Sequence, residues 1–312
     1  MPLLFSTRTI PQPLPFVFRF IHPRLLAFDI EWIPDPHSAG MLFGIDTSTP
    51  QGVEDAFRKL WAEGGATASN PHPFIKLTLS KIVSICGIYR EVDESGSVLH
   101  KLVTIPSRAD DPRSTSETSI LKAFLRSTAD KRPQLVGFNS ARSDLPIILN
   151  RSIVHGLSSH GWAMRPDKPW EGIDYFGAHS DYHLDLAAFL GWGAQTPSLH
   201  EIATISGIPG KIDICGSSVA EMVLAGNLDK VIAYNEYDAF TTFLLWARVA
   251  HFSGHLSDDA YIREQQAILN LLNQEITEHG KDHLIRYRDI WLDMRAKVDS
   301  SPLPNAPEEE PT

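Results

Sequence analysis

The stretch Leu25-Leu26-Ala27-Phe28-Asp29-Ile30-Glu31-Trp32 constrains this chain more than any other. It is apolar at nearly every position, so its period-two alternation gives two greasy faces, and such a strand belongs inside a sheet covered on both sides. Asp29 and Glu31 then share one face, with Phe28, Ile30 and Trp32 on the other. Two adjacent carboxylates that lose their water and repel each other cost on the order of several kcal/mol unless a cation or donors compensate. Taken alone, the pair favours the plainer interpretation of a strand end emerging into solvent.

Beyond this strand the chain alternates between extended and helical patterns. A Pro/Gly-rich excursion from Pro34 to Pro73 holds one short helix at Val53–Ala62, and Lys81–Glu91 with Val98–Ile105 form a hairpin about the turn Asp93-Glu94-Ser95-Gly96-Ser97. A helix over Ser119–Ser127, a strand at Gln134–Phe138 and a helix at Asp144–His155 come next. After a Gly/Trp/Pro-rich loop, His160–His179, a strand at Tyr182–Leu186 precedes a mostly helical remainder. The order β-β-β-α-β-α-β-α predicts an α/β fold, a mixed sheet with helices packed on it. The segments Asp258–His279 and Lys281–Lys297 carry apolar stripes between charges and read as a packed C-terminal pair.

Composition narrows the class. No apolar run in the 312 residues approaches the ~18–20 needed to span a bilayer, so no membrane role is expected. Cys86 and Cys215 are too few and too far apart for a disulfide scaffold or a thiolate metal site, and a reducing, cytoplasmic compartment is expected. The formal net charge of −10 weakens any case for tight non-specific nucleic-acid binding. Part of the acidic excess lies in residues 298–312, which read as a disordered Pro/Glu tail; residues 1–24, with Arg8, Arg19, Arg24, no acid and scattered prolines, read as a loose arm.

Two further acids matter. Tyr234 and Asp238 are four apart in a helical stretch and share a face with Val231, Thr241 and Leu245, although the spacing alone most often marks a surface polar pair. Asp144 follows Gly137-Phe138-Asn139-Ser140-Ala141-Arg142-Ser143 and precedes Pro146, which makes it an N-cap candidate.

Read in order, Asp-x-Glu on a first strand, Asp144 after a strand and loop, and Tyr-x-x-x-Asp in a late helix resemble the DEDD 3′–5′ exonucleases of the tyrosine-bearing type. More closely, the chain resembles the predicted 3′–5′ exonucleases related to the proofreading domain of family B DNA polymerases. Leu184-Asp185-Leu186, Gly207-Ile208-Pro209-Gly210-Lys211 and Thr242 add to the match, which runs from about Leu25 to Gly254. The resemblance implies a ribonuclease H-like mixed sheet over residues 25–256, with C-terminal helices at 257–297. It implies two divalent cations, Mg²⁺ or Mn²⁺, on oxygen ligands: Asp29 bridging both, Glu31 and Asp238 completing one site, Asp144 supporting the other. Tyr234 would orient the attacking water. Lys211, Arg142 and Asn139 are candidates for phosphate or the terminal nucleotide. The implied partners are single-stranded 3′ ends, DNA ahead of RNA; an exoribonuclease and a catalytically silent nucleic-acid-binding module of the same fold are the alternatives.

The chain departs from that pattern at Trp32, where a small residue is usual, and at Ser143, where an aromatic is common. Trp32 is a candidate for stacking on the terminal base, or it narrows the pocket or faces the core. Asp185 and His183 are candidates for a supporting role. His251 and His255 have zinc-ligand spacing but no accompanying base, and Gly64-Gly65 lacks the strand and helix of a phosphate loop.

Overall fold

The computed structural model describes residues 18–168, 171–177, 180–191, 195–212 and 219–299. Cys215, the first part of the basic arm and residues 300–312 of the acidic tail lie outside them. Five strands, β1 (Arg24–Pro34), β2 (Ser80–Val92), β3 (Val98–Ile105), β4 (Gln134–Gly137) and β5 (His183–Asp185), form one sheet in the order β3-β2-β1-β4-β5. β2 is antiparallel to β1 and β3, and β1, β4 and β5 are parallel. Only β2 runs against the rest of this sheet, which is the ribonuclease H-like arrangement.

Between β1 and β2 lie α1 (Pro36–Phe43) and α2 (Pro50–Glu63). α1 was not expected from the sequence, yet its start is local chemistry: the Asp35 carboxylate accepts from the backbone N–H groups of His37 and Ser38, and Pro36 opens the helix. Then come α3 (Glu117–Lys131), α4 (Asp144–Val154), α5 (His160–Ala163), α6 (Leu186–Gly191), α7 (Leu199–Ile205), α8 (Val219–Leu224), the long α9 (Leu228–Phe252), α10 (Asp258–His279) and α11 (His283–Asp299). Among the described residues no helix is long and apolar enough to cross a membrane.

β1 is covered on both faces. Leu25 and Ala27 join Phe240, Phe243 and Leu244 of α9, whereas Leu26, Phe28 and Ile30 meet Ile120 and Phe124 of α3 and Leu145 and Ile148 of α4. The C-terminal pair belongs to the first of these cores, because Ile268, Leu272, Leu284, Tyr287 and Trp291 are buried with the α9 residues. No break in packing therefore falls at residue 257.

The part of the expected arm that is described, from residue 18, is packed and not loose. Phe18 is buried and stacks on His255 with ring centroids 4.5 Å apart, and His255 Nε2 lies 2.8 Å from the Phe18 carbonyl. Arg19 pairs with Asp181 at 2.7 Å. An apolar seat on a distant ring holds the chain from residue 18 onward, a contact that arm composition alone does not reveal. His251, the other member of the spaced pair, instead meets Asp258 at 2.8 Å and stacks on Tyr261.

A buried cation ties the exit of β1 to the helices behind it. Arg151 of α4 is 1% exposed and binds Asp35 at 2.8 Å and Glu117 at 2.6 Å, with the Thr78 carbonyl at 2.9 Å. Glu117 also accepts the N–H of Ile82 at 2.7 Å. One guanidinium thus fastens β1, β2, α3 and α4 where the first strand turns away.

Candidate functional site

The odd face of β1 that meets α9 is the face of Asp29 and Glu31. α9 presents Tyr234 and Asp238 one turn apart, and carboxylate oxygens of Asp29, Glu31 and Asp238 all lie within 4.8 Å of one another. Residues directly opposite across antiparallel strands share a face; here they are Cys86 beside Asp29 and Ser84 beside Glu31, small side chains that leave the acids room. The ladder then slips. Glu31 pairs with Ser84 but Trp32 with Ile82, so Val83 is an extra residue that bends the pairing at the acidic site.

Asp144 reaches the same strand from behind. It is the first residue of α4 after Ser143, which makes no side-chain cap, so the expected capping role is not the one it takes. Its Oδ1 instead accepts the backbone N–H of Ile30 at 3.3 Å, between the two β1 acids. The turn that delivers it is held by Asp185 at the end of β5. That carboxylate accepts the N–H groups of Asn139 at 2.8 Å, Ala141 at 3.1 Å and Ala187 at 3.0 Å, and Asn139 adopts a left-handed φ of 60°. The Ser140 hydroxyl lies 2.8 Å from His183 Nε2. Burial holds His183 down to about 4, so this bond joins neutral partners at physiological pH.

Lys211 is brought in from the other side. Pro209 offers its carbonyl to the Thr241 hydroxyl of α9 at 2.8 Å, and the Lys211 N–H donates to His200 Nδ1 of α7 at 3.1 Å. Gly210 allows this, since a Cβ there would sit 2.3 Å from His200 Nδ1.

The electrostatics are those of concentrated, poorly solvated negative charge. Burial is the largest cause throughout. It raises Asp29 and Glu31 well above the carboxylate range, with the neighbouring acids adding and Lys211 opposing. It raises Asp144 to about 7 despite the N–H of Ile30, and Asp238 to about 6 despite Lys211 and the Tyr234 hydroxyl. Tyr234 is pushed far upward by burial and the acids, so it stays a phenol and hydrogen-bonds to Asp238.

These crowded, poorly solvated acids destabilise the fold at high pH and not at low. An acid with a raised folded-state pKa costs nothing while protonated in both states, and its penalty grows as pH rises from the unfolded value to the folded one. Asp144→Asn in chelator should therefore raise Tm at pH 8, where the penalty on wild type, on the order of a few kcal/mol, is complete. The gain should vanish below about pH 4, and thermal unfolding at both pH values checks it.

The expected substrate residues divide between two clefts. Trp32 and Lys211 line one of about 450 Å³ with Glu31, Trp61, His72 and Phe74. Asn139 and Arg142 line another of about 740 Å³ with Asp185 and Glu201. The structure does not bring these two pairs together. Trp61, His72 and Phe74 were missed from the sequence, where the only signal was the aromatic content of the excursion between the first two strands.

A ribonuclease H-like sheet whose central strand and crossing helix bring carboxylates within 4.8 Å of one another defines an acidic-cluster protein of the α/β class. Residues 72–291 match the family described as predicted 3′–5′ exonucleases related to the exonuclease domain of PolB, and the protein belongs to that family. The match takes in Asp144, Lys211, Tyr234 and Asp238 and reaches Trp291 in α11, beyond the Gly254 limit expected from the motifs; it begins after Asp29 and Glu31. Among solved structures the chain is similar to the family B DNA polymerase of the hyperthermophilic archaeon Pyrobaculum calidifontis, at 14% identity and a TM-score of 0.39 over 83% of this chain. It spans 30% of that polymerase's length. No curated protein sequence matches.

The donor set suits the cations that the resemblance implies. Clustered carboxylates are hard oxygen ligands of the kind Mg²⁺ and Mn²⁺ take, and their raised pKa values mark negative charge that Lys211 only partly offsets.

Proposed function

We propose that this protein is a divalent-cation-dependent 3′–5′ exonuclease that releases nucleoside 5′-monophosphates from single-stranded ends, DNA ahead of RNA. The observation that carries this is the convergence of Asp29, Glu31 and Asp238 within 4.8 Å in a member of the exonuclease family. Asp29, Glu31 and Asp238, with Asp144 beside them, are the residues that would hold two Mg²⁺ or Mn²⁺ ions. When bound, the ions supply neutralising charge to the phosphate and ease removal of a proton from water.

The chain's own groups do the rest. Tyr234, a phenol at every relevant pH and anchored on Asp238, holds the attacking water. The water oxygen adds to phosphorus, the bond to the 3′ oxygen breaks, and that oxygen leaves with a proton while the phosphate stays on the departing nucleotide. Lys211 at the rim of the Glu31 cleft meets the phosphate charge. Preference for DNA rests on the family's relation to a DNA polymerase domain.

The test is product identity. Incubation of single-stranded DNA and RNA with Mg²⁺ or Mn²⁺ should release one nucleotide at a time as the 5′-monophosphate; release of 3′-monophosphates or internal fragments contradicts the proposal. Tyr234→Phe should lower kcat by roughly ten- to a hundred-fold, less than loss of any carboxylate, because it removes a water-holding hydroxyl alone. Steady-state kinetics beside Asp238→Ala checks that ranking.

A further inference from the structure

Glu31 of the carboxylate cluster lines the cleft of about 450 Å³ that it, Trp32 and Lys211 share with Trp61, His72 and Phe74. Small-ligand sites run to ~300–1,000 Å³, so the space is adequate for a nucleoside. Its rings come in two pairs. Trp61 in the last turn of α2 lies 4.1 Å from His72 with planes 31° apart; Trp32 lies 5.7 Å from Phe74 at 48°. Phe74 is 71% exposed.

We infer that Trp61, His72 and Phe74, with Trp32, form a stacking shelf for the unpaired nucleobase at the 3′ end of the strand, an inference that rests on the exonuclease reading. Continuity decides the occupant. Glu31 belongs both to the acidic cluster and to this cleft, and Trp32 follows it directly, so a phosphodiester at the carboxylates puts its neighbouring nucleoside within reach of the rings. Lys211 on the same wall suits an anionic occupant. Stacking on ring faces takes any base, since every base has a π-face. A base inside a duplex already has its faces covered, so it must first be unpaired and unstacked, and the shelf favours frayed or single-stranded ends. Apart from Trp32, these residues come from the excursion between β1 and β2 and not from the elements that carry the acids, so the shelf and the chemistry separate by mutation.

The experiment is a cycle between protein and substrate. Wild type, Phe74→Ala and Trp61→Ala are compared on single strands whose 3′-terminal nucleotide carries a base or is abasic, with Mn²⁺, after circular dichroism confirms folding. Wild type should lose about ten-fold or more in kcat/KM, mainly through KM, when the base is removed. Phe74→Ala should lose a similar factor on the ordinary end and little further on the abasic one. In chelator, wild type should quench a 3′-terminal 2-aminopurine by stacking and the variants should quench it less. Equal losses on both ends, indifference of wild type to the abasic end, or quenching unaltered in the variants overturns the shelf while hydrolysis stands. Failure of folded wild type to hydrolyse either strand overturns the exonuclease reading, and the shelf with it.

Discussion

Asp29→Ala should lose at least about a thousand-fold in turnover while unfolding at or above the wild-type temperature at pH 8 in chelator. The two halves share a cause. Asp29 lies among Glu31, Asp144 and Asp238, and burial with their repulsion raises its pKa, so the ionised side chain costs the fold stability that its removal returns. The same position is among those that would hold the cations, and losing several kcal/mol of charge stabilisation in the transition state corresponds to about that factor in rate. Kinetics and calorimetry on one preparation check both halves. A variant with wild-type metal-dependent activity would remove Asp29 from the proposed site, and one that unfolded well below wild type would make its role structural.

Arg151→Ala should cost about 3–5 kcal/mol in stability. The substitution leaves Asp35 and Glu117, both almost fully buried, without the guanidinium that joins them at 2.8 and 2.6 Å. Neither carboxylate can turn to water without opening the packing of α3 and α4 on the sheet. Urea denaturation measures it. A loss under about 1 kcal/mol, ordinary for an exposed ion pair, would mean that the buried network is not held as described.

Much of this arrangement was legible because it is written in local patterns. The alternation of β1 assigned Asp29 and Glu31 to one face, and helical periodicity put Tyr234 and Asp238 on another; each alone favoured a solvent-exposed reading, and it was the resemblance of their order to the exonucleases that implied they meet. α10, at Asp258–His279, lies where its apolar stripe placed it, and the structure adds that Ser257 caps its start and Gly280, at a φ of 66°, ends it. What escaped was set by contacts between distant segments. Asp144 looks like a cap in sequence, and only the approach of the Ile30 N–H shows it serving β1 instead. Trp32 follows strict alternation until the extra residue at Val83 shifts the pairing beside it. Asp185 gathers three N–H groups from two segments, and no spacing announces that. The docking of Phe18 on His255 joins positions more than two hundred residues apart.

The most direct test of the central claim is digestion of a 5′-labelled single-stranded DNA, with matched RNA, by wild type and Asp29→Ala in Mg²⁺, Mn²⁺ and chelator. The expected result is a ladder shortening one nucleotide at a time from the 3′ end, present with either metal, abolished by chelator and missing in the variant. An undegraded strand in the presence of folded wild-type protein and metal, or a ladder that Asp29→Ala produces as well, would contradict it.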